Sequence, residues 1–93
     1  MWLGTKILRR IPIFYINLDS SRKRRGFIEE ELRKYALIGT RFSGFDLRNE
    51  ENAAMIPKGW KLSAKGEAGC ALSHYHVWLK VEKLGLPYAI ILE

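Results

Sequence analysis

The run Tyr88-Ala89-Ile90-Ile91-Leu92 constrains the fold more than any other stretch. It is apolar without alternation and follows Gly85 and Pro87, a strong stop signal for whatever precedes it. A short run of this kind reads as a strand covered on both faces, and such strands belong to parallel sheets joined by helical crossovers. Residues 11–18 (I-P-I-F-Y-I-N-L) read as another strand, with Pro12 at the tolerant first positions. In open α/β sheets ligands bind at the carboxyl ends of the strands. Glu93, directly after the apolar run, stands at such an end.

Between these runs the pattern turns helical twice. Asp19, Ser20 and Ser21 supply cap chemistry for a helix over residues 21–37, with Phe27, Ile28, Leu32, Tyr35 and Ala36 on its apolar face and Gly39 as its stop. Residues 40–45 form a further strand, with Gly44 at a bulge or close approach. Residues 47–65 are rich in turn formers and read as an irregular excursion, with one helical turn around Ala53, Ala54 and Met55. A helix follows over residues 63–84, its face running Leu72, Tyr75, Leu79 and Glu82, with Trp78 and Tyr75 in the core. The order β-α-β-loop-α-β predicts a Rossmann-like parallel α/β sheet in one partial domain over residues 1–93. Residues 1–10 read as an atypical amino terminus. Crossovers of one hand bring Leu18 and Leu92 to the same sheet edge.

A chain of 93 residues supports at most one small domain, and 12% aromatic content argues for a packed core rather than disorder. The formal net charge of +6 favours anionic partners: nucleic acid, acidic lipid or a phosphorylated small molecule. A solvated basic face accounts for the charge equally well. The single Cys70 excludes an internal disulfide framework and a cysteine-based zinc site, and points to a reducing compartment. Lys6, Arg9 and Arg10 break the amino-terminal apolar stretch before a signal-peptide core forms, and no run approaches a membrane span.

The turn Asn17-Leu18-Asp19-Ser20-Ser21 leads into Arg22, Lys23, Arg24 and Arg25. Helix amino termini bind anions, and basic residues there are unfavourable unless an anion such as a diphosphate offsets them. Neither a G-x-G-x-x-G nor a G-K-[ST] loop is present. His74 and His76 are two apart and point to different helix faces, so they share no metal. Gly66 and Gly69 in the first turns of the second helix imply close approach of a backbone or a ligand, and Cys70 reads as a small buried hydrophobe.

Three blocks resemble glycosyltransferase family 25, the bacterial lipooligosaccharide galactosyltransferase type. These are Phe14-Tyr15-Ile16-Asn17-Leu18-Asp19 with Arg24-Arg25, Arg41-Phe42-Ser43-Gly44-Phe45-Asp46, and Gly66-Glu67-Ala68-Gly69-Cys70-Ala71-Leu72-Ser73-His74 through Trp78 to Glu93. The resemblance implies the amino-terminal part of a GT-A-type nucleotide-sugar domain. It implies a UDP-sugar donor, galactose favoured, a divalent metal (Mn or Mg), and transfer to a lipooligosaccharide or other saccharide acceptor. By the same likeness Asn17, Asp19, Arg24, Asp46, Ser73 and His74 surround the donor, and Glu93 is the first acid of a Glu-Asp-Asp metal motif. Ser20, Ser21 and Lys23 depart from the Arg- and acid-rich turn of the family. The chain alone is then expected to be inactive, with its parent in the cytoplasm, peripheral at the inner face of a bacterial inner membrane and not bound to nucleic acid. The competing reading is a small basic module that binds nucleic acid or acidic lipid.

Overall fold

The computed structural model describes residues 10–60 and 65–93. The expectations for residues 1–9 and for a helix start at Ser63 lie outside them. Strand β1 is Ile13–Asn17, helix α1 Arg22–Lys34, strand β2 Thr40–Ser43, the single turn α2 Glu50–Ala53, helix α3 Lys65–Lys83 and strand β3 Ile90–Leu92. All pairings are parallel, and the order is β2-β1-β3. The Rossmann-like parallel α/β sheet is therefore present, with β1 central and both other strands at its edges.

Alternation along β1 divides the core into two layers, because successive side chains point to opposite faces. Ile13 and Tyr15 pack with Leu32, Ile28 and Leu37 on the α1 side. Phe14 and Ile16 pack with Val77, Val81, Leu86 and Ile91 on the α3 side. A further cluster joins Leu47, Ala68 and Leu72 to Phe45, Ile56 and Trp60, tying the excursion after β2 to α3. One helix on each face makes the layering α-β-α.

Several sequence expectations are corrected. The closing strand packs on both faces, Ile90 on the α1 side and Ile91 on the α3 side, but as an edge strand it is only half-buried, and Tyr88 before it is 56% exposed. On α3 the buried face is Ala68, Leu72, Ser73 and Val77, whereas Tyr75, Trp78 and Leu79 are exposed. Gly69 and Ser73 on this face let the helix approach the Phe45 segment closely while Leu72 and Val77 fill the core. On α1, Leu32 is buried, but Phe27 and Tyr35 lie in solvent. The helical turn of the excursion starts earlier than expected, at Glu50, because the Asn49 side chain accepts the Glu51 N–H and caps it there.

Both long helices end in the same hydrogen-bonded motif. On α3, Gly85 has φ +68°, its N–H reaches the Glu82 carbonyl, and the Leu86 N–H reaches Val81. This is a Schellman cap with glycine at its left-handed position, as the sequence implied. On α1 the equivalent residue is Ala36, not Gly39: its φ is +54°, its N–H reaches Arg33, and the Leu37 N–H reaches Leu32. A left-handed alanine costs about 1 kcal/mol that glycine would not. Ala36→Gly is accordingly expected to stabilise the chain by about 0.5–1 kcal/mol, raising the melting temperature by several degrees in a thermal scan. A lowered melting temperature would count against this cap.

Candidate functional site

The strand order reverses at β1: the chain leaves it for β2 on one side and returns to β3 on the other. A crevice is expected beside such a reversal, outside the carboxyl ends of the strands. A cleft of about 820 Å³ opens there. Its walls come from the end of β1 (Ile16, Asn17, Leu18), the start of α1 (Ser21, Arg24, Phe27), the segment after β2 (Gly44 to Arg48), α3 (Gly66, Gly69, Cys70, Ser73) and Glu93.

Of the residues singled out from sequence, Asn17, Arg24, Asp46, Ser73 and Glu93 line this cleft. Asp19 faces a smaller neighbouring cleft that shares Gly44, Phe45 and Asp46 as its rim. His74 lies beside Glu93 rather than among the lining residues.

Buried Asn17 holds the first βα turn together. Its side-chain amide donates to the Ser21 carbonyl at 3.1 Å, and its backbone carbonyl accepts from Arg41 Nη2 at 3.0 Å. The same Arg41 nitrogen donates to Asp19 Oδ1 at 2.6 Å, and the Ser43 hydroxyl adds a second bond to that oxygen at 2.8 Å. These two donors, Arg41 first, hold the Asp19 carboxyl below its ordinary range. Asp46 is paired with Arg48, whose guanidinium and backbone N–H lower it to about 2. Both acids stay ionised at neutral pH, and their pairings are lost only as pH falls through these depressed values.

Ser73 is 2% exposed and spends its hydroxyl on the backbone. It donates to the Gly69 carbonyl at 2.7 Å and accepts the Phe45 N–H at 2.9 Å. A Cβ on Gly69 would stand 2.6 Å from the Phe45 carbonyl oxygen, so the close approach implied by that glycine is to a backbone. Gly66 has nothing within 4 Å of the same position and opens onto the cleft. Gly69 and Ser73 thus clamp α3 to the segment that forms the cleft wall. Ser73 shapes the site through this clamp.

The amino end of α1 faces the cleft with its backbone amides. No acidic residue stands in its first turn, and Ser21 makes no side-chain capping bond to the free amides. Arg25, Arg33, Arg41 and Arg48 are each paired with a carboxylate, whereas Arg24, on the cleft wall, is in no ion pair among the described residues.

At the opposite wall Glu93 Oε2 lies 3.0 Å from Cys70 Sγ and 3.1 Å from His74 Nε2. These contacts, the thiol first, lower the Glu93 carboxyl, and the carboxylate pushes the Cys70 thiol up to about 11. Cys70 is exposed here, not a buried hydrophobe. His74 and His76 fall on different faces of α3, whereas the spacing of four residues between Cys70 and His74, the signal in the sequence for this cluster, puts both on one face. Arg41 and Arg48 carry no such signal: only the folded chain reveals which acids they meet.

An open parallel sheet, flanked by helices, with its cleft at the strand reversal defines an α/β protein of the ligand-binding kind. Residues 10–93 match the family model for glycosyltransferase family 25 (LPS biosynthesis protein), and the chain belongs to that family. It is 34% identical over 93 residues to a putative glycosyltransferase, R655, of Acanthamoeba polyphaga mimivirus, covering 90% of this chain and 28% of that protein. It is also 31% identical over 94 residues to a glycosyltransferase 25 family member of Drosophila pseudoobscura pseudoobscura, covering 87% of this chain and 15% of that protein. The chain therefore spans less than a third of the length of these relatives. No solved structure matches it. No helix among the described residues is long and apolar enough to cross a membrane.

Proposed function

We propose that this chain forms the donor-binding part of a GT-A-type glycosyltransferase, holding a UDP-sugar whose diphosphate lies against the amino end of α1. The observation that carries the reading is the meeting of Arg24, a cleft arginine in no ion pair among the described residues, with a helix amino terminus that has no side-chain cap, at the strand reversal. Backbone amides and a guanidinium are the donors that a diphosphate takes. Ile16, Leu18, Phe27 and Leu47 give the cleft an apolar lining suited to a base and ribose. Membership of family 25 supports the reaction class, transfer of a sugar from donor to acceptor, and in this reading the sugar is a hexose.

A lipooligosaccharide acceptor is the finer reading, supported by the family's description as an LPS biosynthesis protein, and galactose as the sugar and a bacterial origin rest on the sequence resemblance alone. A cytoplasmic position at the membrane's inner face follows from such an acceptor and from the net charge of +6. In this reading the 93 residues hold the donor and do not by themselves transfer the sugar.

The divalent ion expected from the resemblance, Mn or Mg, requires several converging oxygen ligands. The carboxylates lining the two clefts do not converge: Asp19 is held by Arg41, Asp46 by Arg48, and Glu93 by Cys70 and His74. Among the described residues these carboxylates do not fit such an ion.

Calorimetric titration of the chain with UDP tests the proposal. One-to-one binding is expected, weakened about tenfold by Arg24→Ala, the loss of one charge-assisted contact. Arg24 is exposed, so that change leaves the fold intact. Heat that tracks generic nucleic acid or anionic vesicles instead, with a steep salt dependence and no response to UDP, would favour the basic-module reading.

A further inference from the structure

The far wall of the cleft brings a thiol, an imidazole and a carboxylate to one point. Cys70 and His74 project from one face of α3, one turn apart, and Glu93 reaches the same point from the end of β3. One ligand atom from each residue lies within 4.8 Å of the other two. A tetrahedral zinc ion with bonds of ~2.0–2.3 Å separates its ligand atoms by roughly 3.3–3.6 Å. The Glu93 contacts at 3.0 and 3.1 Å fall just inside that spacing, and the Cys70 and His74 ligand atoms, within 4.8 Å of each other, close around an ion by side-chain rotation.

The three groups support little else. They are outside the apolar clusters that hold the sheet and helices together. Cys70 and Glu93 line the cleft, which gives an ion a path from solvent. The His74 ring packs edge-on against Trp78, with centroids 6.3 Å apart, and this contact holds the imidazole towards Glu93.

We propose that Cys70, His74 and Glu93 form a three-ligand site for a thiophilic divalent cation of the zinc class, its fourth position open to the cleft. The donor chemistry selects the metal. Thiolate and imidazole favour zinc and similar ions, whereas Mg and Mn favour oxygen alone. Three protein ligands with one open position is the pattern of sites that take up an exchangeable ligand, in contrast to closed four-ligand structural sites. This reading revises the sequence argument that a single cysteine leaves no cysteine-based zinc site: one thiolate suffices when helix spacing and a strand end supply its partners.

Co(II) titration of the reduced, metal-free chain, followed by competition with Zn(II), tests the site. The expected result is one-to-one binding with a thiolate-to-cobalt charge-transfer band, reversed by zinc and untouched by excess Mg(II). Cys70→Ser is expected to remove the band, and His74→Ala to weaken binding roughly tenfold or more. Both side chains lie outside the buried core, and circular dichroism verifies that each variant keeps the wild-type fold. Absence of the band in the wild-type chain, or zinc affinity unchanged in both folded variants, would show a hydrogen-bonded cluster only and overturn the proposal. The test does not depend on nucleotide binding.

Discussion

Gly69→Ala is expected to lower the unfolding free energy by about 3 kcal/mol, seen as a clear drop in the urea midpoint followed by circular dichroism. The added Cβ would lie 2.6 Å from the Phe45 carbonyl oxygen, which is backbone and cannot swing aside. Either α3 or the segment after β2 must move. Movement also breaks the bond from the Phe45 N–H to Ser73, leaving a polar group of the cleft wall unsatisfied. A domain of this size has only about 5–14 kcal/mol in total, so the loss is a large share. An unchanged midpoint would mean that Gly69 is not where α3 meets Phe45.

Leu72→Ala is expected to cost about 2–5 kcal/mol, the usual range for emptying a fully buried leucine site. Leu72 is 0% exposed and links α3 to Leu47, Phe45, Ile56 and Trp60. Its removal loosens the excursion that forms one side of the cleft as well as the helix. Leu79→Ala provides the comparison, since Leu79 lies on the same helix but is 42% exposed. Its expected cost is below about 1 kcal/mol, in line with other surface changes. Equal costs at the two positions would contradict the observed orientation of α3. Both variants are read in the same urea titration.

The same pair of leucines shows how far the sequence could be read. Stop signals at Gly85 and Pro87 and β-branched runs at both ends located the strands and helices, and their alternation implied the parallel sheet. The orientation of α3 was not legible, because Leu72, Tyr75, Trp78, Leu79 and Val81 make the helix apolar on several sides. Tight packing through Ala68, Ser73 and Val77 settles it, and that is a property of the partner surface. The end of α1 was misjudged for a related reason. An alanine in the left-handed position gives no sequence signal, whereas the glycine that was expected to stop the helix instead packs against Leu32 and Tyr15.

At the cleft, the residues named from sequence gather around one sheet edge, but several are occupied with one another. Asn17 and Asp19 are braced by Arg41, and Ser73 by two backbone groups. Among the described residues of the cleft, Arg24 is in no ion pair and the first turn of α1 has no side-chain cap, which is why the proposed donor contacts fall there. The Cys70–His74–Glu93 cluster needed the fold to become visible, because its third member is 19 residues from its nearest partner in sequence.

The most direct test of a donor cleft is amide chemical-shift mapping of the chain titrated with UDP. Saturable shifts are expected in the first turn of α1, at Asn17 and Leu18, and at Gly66 and Gly69 across the cleft, all needing about tenfold more UDP in Arg24→Ala. Shifts spread over every exposed Lys and Arg, growing without saturation and reproduced by any polyanion, would contradict it.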